Sequence, residues 1–75
     1  MKIRVLYFAS LREERGLEEE EIVLKTSVNV YTLFEYIFSR PPQGLRFAID
    51  QVYVTPETML TGGEEVAFIP PLGGG

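Results

Sequence analysis

Apolar and polar residues alternate from the first positions of the chain. In Lys2 to Ala9, KIRVLYFA, the residues Ile3, Val5 and Tyr7 fall on one face and Arg4, Leu6 and Phe8 on the other. A period of two in a segment rich in β-branched and aromatic residues predicts a strand. The face carrying Arg4 is expected to look outward, which leaves Leu6 and Phe8 as apolar residues in want of a cover. The next stretch, SLREERGLEEEE, is charged and is interrupted by Gly16, so it predicts a turn of helix and then a loop. EIVLKT, Glu21 to Thr26, predicts a second strand that pairs back on the first through a connection too long for a two-residue hairpin.

The period changes at NVYTLFEYIFSR. Val30, Leu33, Phe34 and Ile37 recur at i, i+3, i+4 and i+7, with Phe38 adjoining them, which is the apolar stripe of a core-facing helix. Asn29 is placed to accept a backbone N–H of the first turn. Pro41 and Pro42 are expected to end the helix, because neither can donate the next backbone bond. A short strand follows around Ile49 to Thr55, then a turn-rich segment punctuated by Pro56 and Gly62-Gly63. The last strand, EEVAFIP, places Val66 and Phe68 on one face and Ala67 and Ile69 on the other. The predicted order is β-β-α-β-β, with room for a short extra strand or 3₁₀ turn. This is an α+β fold in which one main helix covers one face of a small mixed sheet. The other face is left open to solvent or to a partner. Residues 1–69 form the domain and residues 70–75 a flexible tail.

Composition narrows the chemistry. The chain has 75 residues, 45% of them apolar, and neither Cys nor His. It is a single small domain whose core must supply its stability. Disulfides, the usual thiolate and imidazole metal ligands, a side-chain thiol nucleophile and the commonest general base are all excluded. The net charge of −4 argues against a nucleic-acid partner, which would select a basic face, and permits docking on a basic protein surface. No apolar run approaches the roughly 18 residues of a membrane span and no signal peptide opens the chain, so a cytoplasmic protein is expected. The carboxylates Glu13, Glu14 and Glu18 to Glu21 read as a solvated run. Asp50 and Glu57 have no base or nucleophile beside them. TGGE, Thr61 to Glu64, is too short for a phosphate cradle and no Lys follows it.

The C-terminus remains. Leu72 to Gly75 cannot extend a strand, and Pro70-Pro71 stiffen the point of departure. The six residues after Ile69 reach about 20 Å when extended. Glycine has no Cβ, so such a backbone can thread a narrow tunnel and come close to a reacting centre. The pattern points to a chain whose end is itself a substrate: the Gly75 carboxylate is activated by another enzyme and then modified.

VLYFASLRE near the start, EEVAFIPP near the end, the helix VYTLFEYIF, the segment AIDQVYVT and the terminal Gly-Gly together resemble the small subunit of molybdopterin synthase. That family consists of ubiquitin-like β-grasp sulfur carriers of molybdenum cofactor biosynthesis. The resemblance covers essentially the whole chain. It implies a non-catalytic, sulfur-donating subunit of a sulfurtransferase complex, with no bound cofactor or metal. An adenylating enzyme of the ubiquitin-activating type spends ATP on the Gly75 carboxylate, and a sulfur donor then makes a thiocarboxylate. The tail inserts into the synthase large subunit and gives its sulfur to the pterin precursor of the dithiolene. By matching positions, Gly74 and Gly75 are the functional diglycine. Phe8, Leu11, Arg12, Ile69, Pro70, Pro71, Leu72 and Gly73 correspond to docking surfaces. In a β-grasp sheet the first and last strands are neighbours, so Phe8 and Ile69 share the outer face, where an exposed apolar patch marks a partner surface.

The chain departs from the family pattern in places. Gly62 and Glu64 stand where the family has Asp, Asp50 where Asn is common, and Gly73 where Ser, Thr or Ala is usual. Two alternatives share the fold: a sulfur carrier of the thiamin pathway, and a ubiquitin-like modifier joined to other proteins through its terminal glycine. A plain interaction domain with an idle tail is the third.

Overall fold

The computed structural model describes residues 1–71. Seven elements follow one another: β1 (Lys2–Tyr7), α1 (Ala9–Arg15), β2 (Glu19–Val23), α2 (Val30–Phe38), β3 (Arg46–Ile49), β4 (Val52–Val54) and β5 (Glu65–Ile69). The sheet order is β2-β1-β5-β3-β4. β1 and β5 are parallel, with Tyr7 opposite Phe68, and the other pairs are antiparallel. The last strand of the chain thus lies in the middle of the sheet.

The alternation read in β1 is the one observed: Ile3, Val5 and Tyr7 are buried and Arg4 is exposed. They meet Val66 and Phe68 of β5, Phe47 of β3, Leu11 of α1 and Val30, Leu33 and Phe34 of α2. Aromatic rings fill the centre. Phe68 stands edge-on to Phe34 at 5.2 Å and to Phe47 at 5.7 Å, while Phe38 stacks on Phe34 at 4.6 Å. Edge-to-face pairs of this kind add to the stabilisation that their buried area gives.

Four sequence expectations are corrected. The charged stretch after β1 forms two turns of helix, not one turn and a loop. It is closed by Gly16 at φ 75°, whose N–H donates to the Arg12 carbonyl at 2.8 Å, a left-handed cap that glycine adopts without a Cβ clash. β2 begins at Glu19 and stops at Val23, so part of the acidic run is strand and not solvated loop. Charges suit an edge strand, because they discourage pairing with another chain. α2 starts as expected, with the Asn29 side chain accepting the Thr32 N–H at 2.8 Å. It ends at Ser39, in the left-handed region at φ 59°, before Pro41 is reached. The strand expected over Ile49 to Thr55 is a hairpin. Asp50 and Gln51 both have positive φ and join β3 to β4 in the manner of a type I′ turn.

Two polar clusters brace the loops. The Asp50 side chain accepts the Glu65 N–H at 3.0 Å and its own N–H donates to the Glu65 carbonyl at 2.9 Å, so the hairpin is clipped to the start of β5. The Glu64 carboxylate accepts N–H bonds from Thr61 at 2.7 Å and Gly62 at 2.6 Å, and the Thr61 hydroxyl at 2.9 Å. Partial burial raises the pKa of Glu64, but these bonds outweigh it and hold the carboxyl below its ordinary value. The turn that lost an Asp at Gly62 is therefore supported from Glu64.

Candidate functional site

β5 delivers the chain to the site. It is hydrogen-bonded on both sides and ends at Ile69, because Pro70 has no N–H to continue the ladder. Pro70 is buried and Pro71 exposed, so the stem is anchored at its first proline and reaches solvent at its second. Two grooves flank it. One, of about 380 Å³, lies between the start of α1 and the segment after α2, and is bordered by Ser10, Leu11, Phe34, Arg40, Pro41 and Leu45 with the two prolines. The other, of about 460 Å³, opens on the outer sheet face between Gly44, Arg46, Tyr53, Ile69 and the prolines. A Cβ on Gly44 would sit 3.9 Å from Pro71 Cγ, an ordinary contact; what restricts this position to glycine is its φ of 67°.

An ion pair borders the first groove. Arg40 donates through both terminal nitrogens to Glu14, one bond measuring 2.9 Å, and its guanidinium lies 5.3 Å from the centre of the Phe38 ring and 5.7 Å from that of Phe34. The hydrogen bonds from Arg40 hold the Glu14 carboxyl below its usual range. This pair bridges α1 and the segment just after α2. Behind it, the buried Tyr7 hydroxyl donates to Glu20 Oε2 at 2.5 Å, and Arg15 donates to both oxygens of the same carboxylate at 2.5 and 3.1 Å. Burial, then the Glu20 carboxylate, pushes the Tyr7 hydroxyl above its ordinary pKa, so it stays protonated and serves as a structural donor.

The expected site residues fall into four sets. Phe8 is 38% exposed and sits in extended conformation between β1 and α1. It follows directly on the last β1–β5 pair, Tyr7 opposite Phe68, as Ile69 does on the other strand. Leu11, expected on the surface, is only 3% exposed. It packs in the core and reaches the stem only as the wall of a groove, since α1 forms a regular helix whose apolar residue turns inward. Arg12 is tethered, its Nε donating to the Tyr7 carbonyl at 3.4 Å and its guanidinium 3.7 Å from Glu18. Leu72, Gly73, Gly74 and Gly75 lie outside the described residues.

Leu6, Ala48, Ala67, Ile69 and Tyr53 extend the outer row started by Phe8. Tyr53 and Arg46 were not singled out from the sequence. The alternation of Arg46, Ala48 and Tyr53 becomes visible only once the stretch is read as a hairpin. Among the described residues no cluster of His, Cys, Asp or Glu is arranged to hold a metal, and no helix is long and apolar enough to cross a membrane. The arrangement offers a largely apolar platform with the Pro70-Pro71 stem at the end of its central strand.

A five-stranded mixed sheet wrapped on one main helix, with parallel first and last strands, is a ubiquitin-like β-grasp. The architecture is shared with SAMP1 of Haloferax volcanii, at a TM-score of 0.82 and 15% identity over 100% of both chains. It is also shared with a Pyrococcus furiosus protein described as molybdopterin converting factor, subunit 1, at a TM-score of 0.79 and 30% identity, covering 96% of this chain and 99% of that one. Residues 5–75 match the ThiS family model. The molybdopterin synthase sulfur carrier subunit of Chlamydomonas reinhardtii is 39% identical, over 100% of both chains, and that of Homo sapiens 32% identical, over 99% of this chain and 94% of the other. The chain belongs to the ThiS family of small β-grasp proteins.

Proposed function

We propose that this protein is the sulfur carrier subunit of a molybdopterin synthase. The observation that carries the reading is identity at full length to sulfur carrier subunits of that synthase, with the Pro70-Pro71 stem at the point where a carrier needs its tail to leave the body. The Gly75 carboxylate is the reacting group. An adenylating enzyme converts it to an acyl-adenylate with ATP, releasing pyrophosphate. A sulfur donor displaces AMP to give the thiocarboxylate. The synthase large subunit then accepts the tail, and the sulfur passes to the pterin precursor. The body's part is to present the tail and to dock. Proximity supplies much of the rate, since a tethered thiocarboxylate reacts at a high effective concentration.

Incubation with the cognate adenylating enzyme, ATP and a sulfur donor is expected to raise the mass by the difference between sulfur and oxygen. The loaded chain is expected to support dithiolene formation with the large subunit, and deletion of Gly74 and Gly75 to abolish both while thermal stability is kept. Gly75-dependent attachment to other proteins, without sulfur transfer to a pterin, would make the chain a modifier instead.

A further inference from the structure

Of the three cations on the outer sheet face, two pair with carboxylates among the described residues. Lys2 faces Glu21 at 3.8 Å and Arg4 faces Glu65 at 3.8 Å. Elsewhere Arg12, Arg15 and Arg40 each reach a carboxylate. Arg46 makes no ion pair among the described residues. It pairs in register with Ile69, its guanidinium lies 5.5 Å from the centre of the Tyr53 ring, and both side chains border the groove beside Pro70 and Pro71. Lys25, the other cation with no ion pair among the described residues, follows β2 at the opposite edge of the sheet.

An arginine stacked on an aromatic ring is pre-organised. It loses less freedom on binding than a lysine, and its planar fork suits a carboxylate. Ile69, Pro70 and Pro71 beside it are apolar, so a partner covering Ile69, Ala67 and Ala48 would remove this charge from water. A buried cation without a counter-charge is costly, and a partner that buries it must supply an anion. The chain as a whole carries −4, which attracts a basic surface but sets no orientation. One cation next to the tail exit sets it.

We propose that Arg46, held by Tyr53, is a specificity-determining residue of the docking face, and that the protein receiving the tail carries an Asp or Glu carboxylate opposite it within an otherwise apolar contact. This rests on the sulfur-carrier reading, with the large subunit as the receiving protein.

The test measures binding of the full chain to the large subunit from the same organism by calorimetry, at about 50 and about 300 mM salt. Arg46→Ala is expected to weaken binding about tenfold or more at low salt and to flatten the salt dependence. Arg46→Glu is expected to weaken it further, and Arg46→Lys to recover only part of the loss. Tyr53→Phe keeps the ring and is expected to bind as the parent does. Thermal melts check that each variant is folded. Equal affinity and equal salt dependence for Arg46→Ala and the parent chain overturn the inference while leaving the sulfur-carrier reading intact. Failure of the parent chain to bind overturns both.

Discussion

Replacing Glu20 by Ala is expected to be among the most damaging changes available on the charged surface of this protein. Glu20 lies on an edge strand in a run of four glutamates, where a single carboxylate ordinarily contributes little. Here it is the acceptor for the hydroxyl of Tyr7, a residue with no exposed surface. Removing the acceptor leaves that hydroxyl buried and unsatisfied, at a cost of about 1–3 kcal/mol. Arg15 returns to water and adds little. A domain of this length has a total stability of about 4–11 kcal/mol, and each kcal/mol moves its melting temperature by about 4–8 °C. A loss of about 2 kcal/mol therefore lowers the midpoint by about 8–16 °C, measurable by circular dichroism at neutral pH. Tyr7→Phe removes the donor together with its need for a partner and is expected to cost less, about 1 kcal/mol. The dependence on pH has a definite sign. The hydrogen bond from Arg15 holds the Glu20 carboxyl below its usual pKa, against the effect of burial and with help from Tyr7. Its contribution is complete above the unfolded value and is lost as pH falls through the folded one. Glu20→Gln should show a weaker loss of stability on acidification than the parent chain. A melting point for Glu20→Ala within a degree or two of the parent, or a larger loss for Tyr7→Phe, would refute this reasoning.

Gln51→Gly is expected to stabilise the protein by about 1 kcal/mol, because Gln51 holds φ 70° in a region that disfavours a Cβ; an unchanged urea midpoint would count against the hairpin geometry. Phe68→Ala removes the ring that Phe34, Phe47, Tyr7 and Phe38 surround and should cost about 3–5 kcal/mol, enough to leave much of the chain unfolded at 37 °C in a melting experiment. Glu64→Ala should cost about 1–2 kcal/mol and expose the Thr61 and Gly62 amides to faster hydrogen exchange. Since its pKa is depressed, the Glu64 contribution is present above the unfolded carboxyl value and fades as the solution is acidified below it.

The legible parts of this fold were those where one period ran uninterrupted. β1, α2 and β5 each carry an unambiguous alternation or stripe, and the cap at Asn29 follows from its side-chain chemistry. The hairpin was missed because its turn is Asp50-Gln51, without the glycine that normally marks positive φ; contacts with Glu65 sustain it. β2 was displaced because Glu19, Glu20 and Glu21 look like a solvated run, and nothing local reveals that Tyr7 and Arg15 reclaim one of them. The stop at Ser39 was assigned to the prolines for the same reason, a left-handed residue without glycine. Of the residues placed at the candidate site, the stem and Phe8 follow from motif and alternation alone. Leu11 was misplaced because a surface correspondence was carried over without the inward turn of α1. Arg46 and Tyr53 depended on knowing that β3 and β4 are separate strands.

The position of β5 has a mechanical consequence. A load applied at the C-terminal end of β5 runs along the axis of a strand bonded on both edges, to β1 and to β3. Such a load shears two ladders at once and cannot peel them open bond by bond. Pulled from that end, the domain is expected to resist unfolding more than it would if β5 were an edge strand.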